Sequence, residues 1–157
     1  MTFTKPADWN YATDEEIATA IGLGAEILND DAAYIQAIAN MANVFDMMVQ
    51  GPDGSNMNIM YENLTVSNSL SMTEEEYLQT LESMLGAMTE VAYQVSDEIT
   101  TVQLGDQTYY LLTATVDYAG VQMTQGYYVR RVGDYICAAI ATVIGDTTLE
   151  QIQACFS

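Results

Sequence analysis

The sequence has 157 residues, half of them apolar, and sets 22 acidic side chains against Lys5, Arg130 and Arg131, a formal net charge of −19 with no histidine. A chain of this length buries roughly 68–70% of its unfolded surface, enough for a hydrophobic core without metal or cross-links, so residues 1–157 read as a single domain. The charge excludes duplex DNA, RNA and anionic lipid, which need clustered cations; the missing histidine removes the usual neutral-pH general base and the commonest transition-metal ligand, so neither metal nor cofactor is expected.

No stretch approaches the roughly 20 consecutive apolar residues of a membrane-crossing helix, and residues 1–6 lack an apolar signal core. Three Thr-x-x-Glu patterns, Thr13 to Glu16, Thr73 to Glu76 and Thr147 to Glu150, read as capping boxes. In each, the threonine oxygen accepts from an orphan amide of the first turn and the glutamate reaches back to the cap N–H. A short strand precedes the first helix, which starts near Asp14, carries Ile17, Ile21 and Leu28, and is weakened at Gly22 and Gly24. A second helical segment is expected from Asp30 or Asp31, with Tyr34, Ile38, Met41 and Phe45 on one stripe. Strand-like residues 44–50 and 56–64 flank Gly51-Pro52-Asp53-Gly54-Ser55, a hairpin turn.

After Thr73, Tyr77, Leu81, Met84, Leu85 and Met88 recur at helical spacing, opposite Glu74, Glu75, Gln79 and Glu82. Beyond about residue 91 the period changes to two, with strands expected over 91–95, 98–104, 108–118, 121–129 and 135–143. Gly105-Asp106, Ala119-Gly120 and Gly133-Asp134 separate the last four, and Gly-Asp favours a two-residue hairpin turn. A helix on Thr147 closes the chain. The fold class is therefore α+β, a central antiparallel β-sheet built as a meander with helices packed on its faces.

This order, with Pro6-Ala7-Asp8-Trp9, Asn56-Met57-Asn58-Ile59 before Glu62-Asn63-Leu64, Glu74-Glu75-Glu76-Tyr77-Leu78 and the ending 149–157, resembles the Mog/PsbP-like group over almost the whole chain. The resemblance implies a sheet between helical layers. Many bacterial members look like secreted lipoproteins or protein-binding accessory modules, which implies an extracellular or cell-envelope address and a lipid-anchored leader before Met1 in the gene, with a cytoplasmic address left open.

Paired carboxylates occur at Asp14-Glu15-Glu16, Asp30-Asp31, Glu74-Glu75-Glu76 and Asp97-Glu98. Such groups serve hydrolases and hard cations, but negative charge in a first helical turn complements the helix dipole, and that reading outweighs catalysis. Residues 51–58 lack the spaced acids of a calcium loop. No nucleophile elbow or phosphate loop is present. Adjacent tyrosines on a strand point to opposite faces, so some rings belong to the core and others offer apolar area with a polar tip. The candidate binding residues are Tyr109, Tyr118, Tyr127 and Tyr128, with Arg130 and Arg131, which should face opposite ways among carboxylates. Cys137 and Cys155 either form a disulfide between the last strand and helix or stay reduced as small hydrophobes. The leading expectation is a non-enzymatic binding or accessory domain with a protein partner. Its rivals are a carrier with an apolar pocket of methionine and tyrosine between sheet and helices, and a carboxylate-dependent hydrolase.

Overall fold

A computed structural model describes residues 2–20, 41–89 and 91–157. The expectations for Ile21, Gly22, Gly24, Leu28, Asp30, Asp31, Tyr34 and Ile38 lie outside the described residues. In chain order the elements are β1 (Asn10–Tyr11), α1 (Asp14–Ala20), β2 (Asn43–Gln50), β3 (Asn56–Asn63), α2 (Glu74–Ala87), β4 (Tyr93–Val95), β5 (Thr100–Leu104), β6 (Gln107–Tyr118), β7 (Val121–Val132), β8 (Tyr135–Ile144) and α3 (Leu149–Gln153). Phe45, expected on a helical stripe, lies in β2.

Eight strands form one antiparallel sheet in the order β1-β2-β3-β8-β7-β6-β4, with β5 also paired to β6. The expected meander is β5 to β8. Its three two-residue turns each place a positive φ at the first central residue, 60° at Gly105, 55° at Ala119 and 62° at Gly133, the conformation that matches strand twist. Two are glycines. Ala119 is held in the unfavourable left-handed region, with Gly120 following at 82° and its N–H donated to Asp117 Oδ1 at 3.0 Å. The β2–β3 hairpin then docks on the meander, β3 running against β8 from Asn56↔Thr142 to Asn63↔Tyr135.

Both faces of the sheet are covered, so neighbouring residues of the inner strands enter different cores. On β8, Ile136 and Ala138 belong to one cluster while Cys137, Ala139, Ala141 and Val143 belong to the other. The first cluster is roofed by Leu78 and Leu85 of α2, the second by Leu149 and Ile152 of α3 together with Trp9 and Phe156. Phe156 stacks at 4.9 Å on Phe3, whose strand-like segment exchanges Thr2 N–H to Ser157 O and Ser157 N–H to Thr2 O.

The capping boxes at Thr13 and Thr73 form as expected. The third shifts by one residue: Thr148 caps α3 and Gln151 reaches back to its N–H. Thr147-Thr148 offers two candidate caps, and Thr147 Oγ1 instead donates to Asp53 Oδ2 at 2.9 Å, leaving Thr148 with the extended backbone of a cap. The inward stripe of α2 is also rotated from the expected one. Leu78 and Leu85 are buried and Tyr77 and Leu81 pack beside them, whereas Met84 and Met88 face solvent at 63% and 49% exposure.

Replacing Ala119 by glycine removes the left-handed penalty and is expected to stabilise the fold by about 0.5–1 kcal/mol. Chemical denaturation checks this; an unchanged or lower midpoint would show that the turn is not strained.

Candidate functional site

β3 is an inner strand with one apolar face and one that is mostly polar, where Met60 alone packs against a core. Met57, Ile59 and Tyr61 enter a core, while Asn56 and Asn58 stand on the opposite face. The register extends this polar row across the sheet, Gln50 beside Asn56, Asn56 beside Thr142 and Thr142 beside Gln125. The row is hydrogen-bonded within itself. Asn58 Nδ2 donates to Asn56 Oδ1 at 3.2 Å, Asn56 Nδ2 to Gly54 O at 3.3 Å, Gln125 Nε2 to Thr142 Oγ1 at 3.1 Å, and Tyr127 OH to Gln125 Oε1 at 2.6 Å. Polar groups on an inner strand are costly unless partnered or functional, which marks this face as the candidate site.

At the β1–β2 edge the row opens into a cleft of about 500 Å³, lined by Asn10, Tyr11, Glu16, Met48, Gln50, Pro52, Asn56 and Asn58 among others. Its size falls within the roughly 300–1,000 Å³ of small-molecule sites. Tyr11 is half exposed, with Lys5 Nζ 5.8 Å from its ring centroid. The cleft's back wall is Gly51, which lies against the only tryptophan. A Cβ at Gly51 would come within 2.6 Å of Trp9 Nε1, so only glycine lets the buried indole sit there.

The two carboxylates nearest this region are committed to structure. Glu16 accepts from the Thr13 N–H and hydroxyl, and these bonds, the backbone one foremost, hold its carboxyl below the usual range. Asp53 accepts from the Ser55 N–H and hydroxyl and from Thr147, and the Ser55 backbone bond leads in lowering it. Ser55, fully buried, in turn accepts from the Ile144 N–H at 2.9 Å, so the hairpin turn is tied to β8 and to the approach to α3. Both groups are ionised near neutral pH and neither is poised as a proton donor.

The six residues singled out from sequence do not form one surface. Tyr109 and Tyr128 are buried in one core and Tyr127 in the other, so these three pack rather than present contact area. Tyr128 lies over Gly126 and accepts from Gln153 Nε2; Tyr109 shares a hydrogen with Cys137 Sγ at 3.8 Å. Burial pushes all three phenols above their ordinary range, and Tyr61, also beside Cys137, to about 12. Tyr118 is exposed, at the far β6–β7 turn. Arg130 and Arg131 face opposite sides, as strand neighbours must. Arg131 does not sit among carboxylates: its guanidinium donates to the carbonyls of Gly133, Met72 and Leu70, while its backbone N–H donates to Glu74. It anchors the loop before α2. Arg130 pairs in register with Cys137, and it contributes to holding down the carboxyl of Asp106, after the hydrogen bond from Gln107. Cys137 and Cys155 are both free thiols, and Cys155 Sγ donates to Gln151 O within its own turn.

The cleft amides Asn10, Gln50, Asn56 and Asn58 carry no charge and no ring that would mark them in the sequence. The available signal was Asn56 and Asn58 at alternate positions of a strand whose other face is apolar.

No family model matches the sequence, and no curated protein matches it. Solved structures share the fold. A protein from Bacteroides thetaiotaomicron VPI-5482 aligns with a TM-score of 0.51 at 14% identity over 96% of this chain and 41% of its own. LpqN, described as involved in cell envelope biogenesis of Mycobacterium tuberculosis, aligns with a TM-score of 0.55 at 12% identity over 99% of this chain and 78% of its own. This chain thus spans about two fifths of the Bacteroides protein's length. At these identities the likeness is one of fold.

Two predictions follow from the bonds around the cleft and the arginine anchor. Asp53 has a folded pKa below its unfolded one, so its contribution is present above the ordinary carboxylate pKa of about 3.9 and disappears as pH falls through the folded value. The stability difference between wild type and Asp53→Asn should therefore be constant near neutrality and shrink below about pH 4, measured by urea unfolding across pH. A difference independent of pH would contradict the ionic role. Arg131→Ala should cost about 2 kcal/mol, the scale of charge-assisted bonds lost; Arg131→Lys should recover little, because an ammonium cannot span three carbonyls as a planar fork does. Full recovery by lysine, in denaturation midpoints, would reduce the anchor to charge alone.

Proposed function

We propose that the chain is a non-enzymatic binding or accessory module of the bacterial cell envelope, of the Mog/PsbP-like kind, and that it engages its partner through the amide-lined cleft. The observation that carries this reading is the polar row Gln50, Asn56, Thr142 and Gln125 on one face of inner strands, continued by Asn10 into the cleft. Backbone register fixes these groups on one face, and Gln125 is bonded to Thr142, so the row recognises a ligand without paying a large ordering cost. The shared fold with LpqN supports the envelope assignment, with an extracellular or envelope address.

The apolar-carrier alternative has less support. Fully buried Met57, Tyr109 and Tyr128 fill the space on one side of the sheet and Leu78 and Leu112 that on the other, while the open concavity is edged by amides. The hydrolase alternative needs a carboxyl ready to give up a proton; Glu16 and Asp53 are instead held as anions within a cap and a turn.

Trp9, the sole tryptophan, is buried behind Gly51 of the cleft wall, so its emission follows the cleft through that glycine and titration heat is recorded beside it. Titration with envelope proteins, polysaccharides and lipid extract as separate fractions is expected to shift Trp9 emission saturably with at least one of them. Asn58→Leu, which places an apolar side chain beside Met48 and Ile140, should abolish the shift while leaving the melting temperature unchanged. No response to any fraction from a folded protein overturns the reading.

A further inference from the structure

We infer that the cleft takes a neutral carbohydrate, its hydroxyls bonded by Asn10, Gln50 and Asn58, which the strand register sets on one face. This rests on the binding-module reading above and adds the chemistry of the ligand. A side-chain amide carries both donors and acceptors, as a sugar hydroxyl does, and the cleft brings several amides to one concavity. Asn58 donates one of its two amide hydrogens to Asn56, which leaves its other hydrogen and its carbonyl for a ligand. Among the described residues no hydrogen bond reaches the side-chain amides of Asn10 and Gln50.

Other ligand classes fit less well. An anion would meet a chain of net charge −19 and an ionised Glu16, with no lysine or arginine lining the cleft among the described residues. A cation would find that carboxylate already accepting two bonds from Thr13. An apolar ligand would strip water from amides it cannot replace, weakening binding about tenfold for each one left unpartnered. A peptide adding as a strand needs an edge long enough for a ladder, and the edge strand beside the cleft, β1, has only two residues, Asn10–Tyr11.

The test follows Trp9 emission and titration heat with maltose, cellobiose and chitobiose as neutral probes, digalacturonic acid as the acidic probe, and acetyl-tetraalanine amide as the peptide probe. In parallel, whichever envelope fraction shifts Trp9 emission is retested after periodate oxidation, which cleaves vicinal diols, and after proteinase treatment. The inference expects saturable binding of at least one neutral disaccharide, insensitive to salt, lost in Asn58→Leu and about tenfold weaker in Gln50→Ala. It also expects the active fraction to fail after periodate and to survive proteinase. A fraction that survives periodate, or a response confined to the acidic or peptide probe, overturns the carbohydrate assignment and leaves the binding-module reading standing. If neither probes nor any fraction move Trp9, both fall together.

Discussion

The structure depends on burying β8 on both faces at once. The strand runs Tyr135–Ile144 at the middle of the sheet, with β3 on one side and β7 on the other. Its residues from Ile136 to Ala139 are all buried, alternately in one core and the other. Such a strand has no solvent face and is written as a continuous apolar run rather than an alternating one. Three of its side chains are alanines, Ala138 in the core roofed by Leu78 and Leu85, and Ala139 and Ala141 in the core that holds Trp9 and Phe156. Loss of either layer would expose half of the strand's apolar area, at roughly 25 cal/mol per Å². The helices, the paired segments around Phe3 and Phe156, and the buried tyrosine pair Tyr127–Tyr128 are all consequences of that requirement.

The same requirement explains where a site can exist. Toward β1 and β2, one face of the sheet changes from packed aliphatics to Gln50, Asn56 and Asn58, and there the surface becomes concave. Hydrogen bonds within the row keep its amides in place, and the Asp53–Ser55–Thr147 ties hold the adjoining turn against β8 and the start of α3. A rigid frame with a small number of oriented neutral polar groups recognises by hydrogen-bond pattern rather than by charge. In so acidic a protein that distinction matters, since long-range attraction would select basic partners over the whole surface and could not by itself direct them to one place.

The likeness to LpqN extends over nearly all of this chain at 12% identity, a combination in which architecture persists while surface residues change freely. On such a scaffold function is carried by local chemistry and not by the topology.

Local signals in the sequence were sufficient for the elements. The period-two run after residue 91, the two-residue turns at Gly105-Asp106 and Gly133-Asp134, and the caps at Thr13 and Thr73 are short-range effects, and all reappear where the residues place them. Matters settled by distant partners were not legible. Thr147 and Thr148 are equivalent caps until Asp53 claims the first, and Tyr127 and Tyr128 look like contact residues until helices cover both faces. Asn56 and Asn58 become a site only when β3 docks on β8, about eighty residues away, and aligns them with Thr142 and Gln125. Sequence alone determined the strands, turns and first caps because their energies are local; the tertiary structure decided which faces are buried and where the amides converge, because register across non-neighbouring strands is fixed by packing.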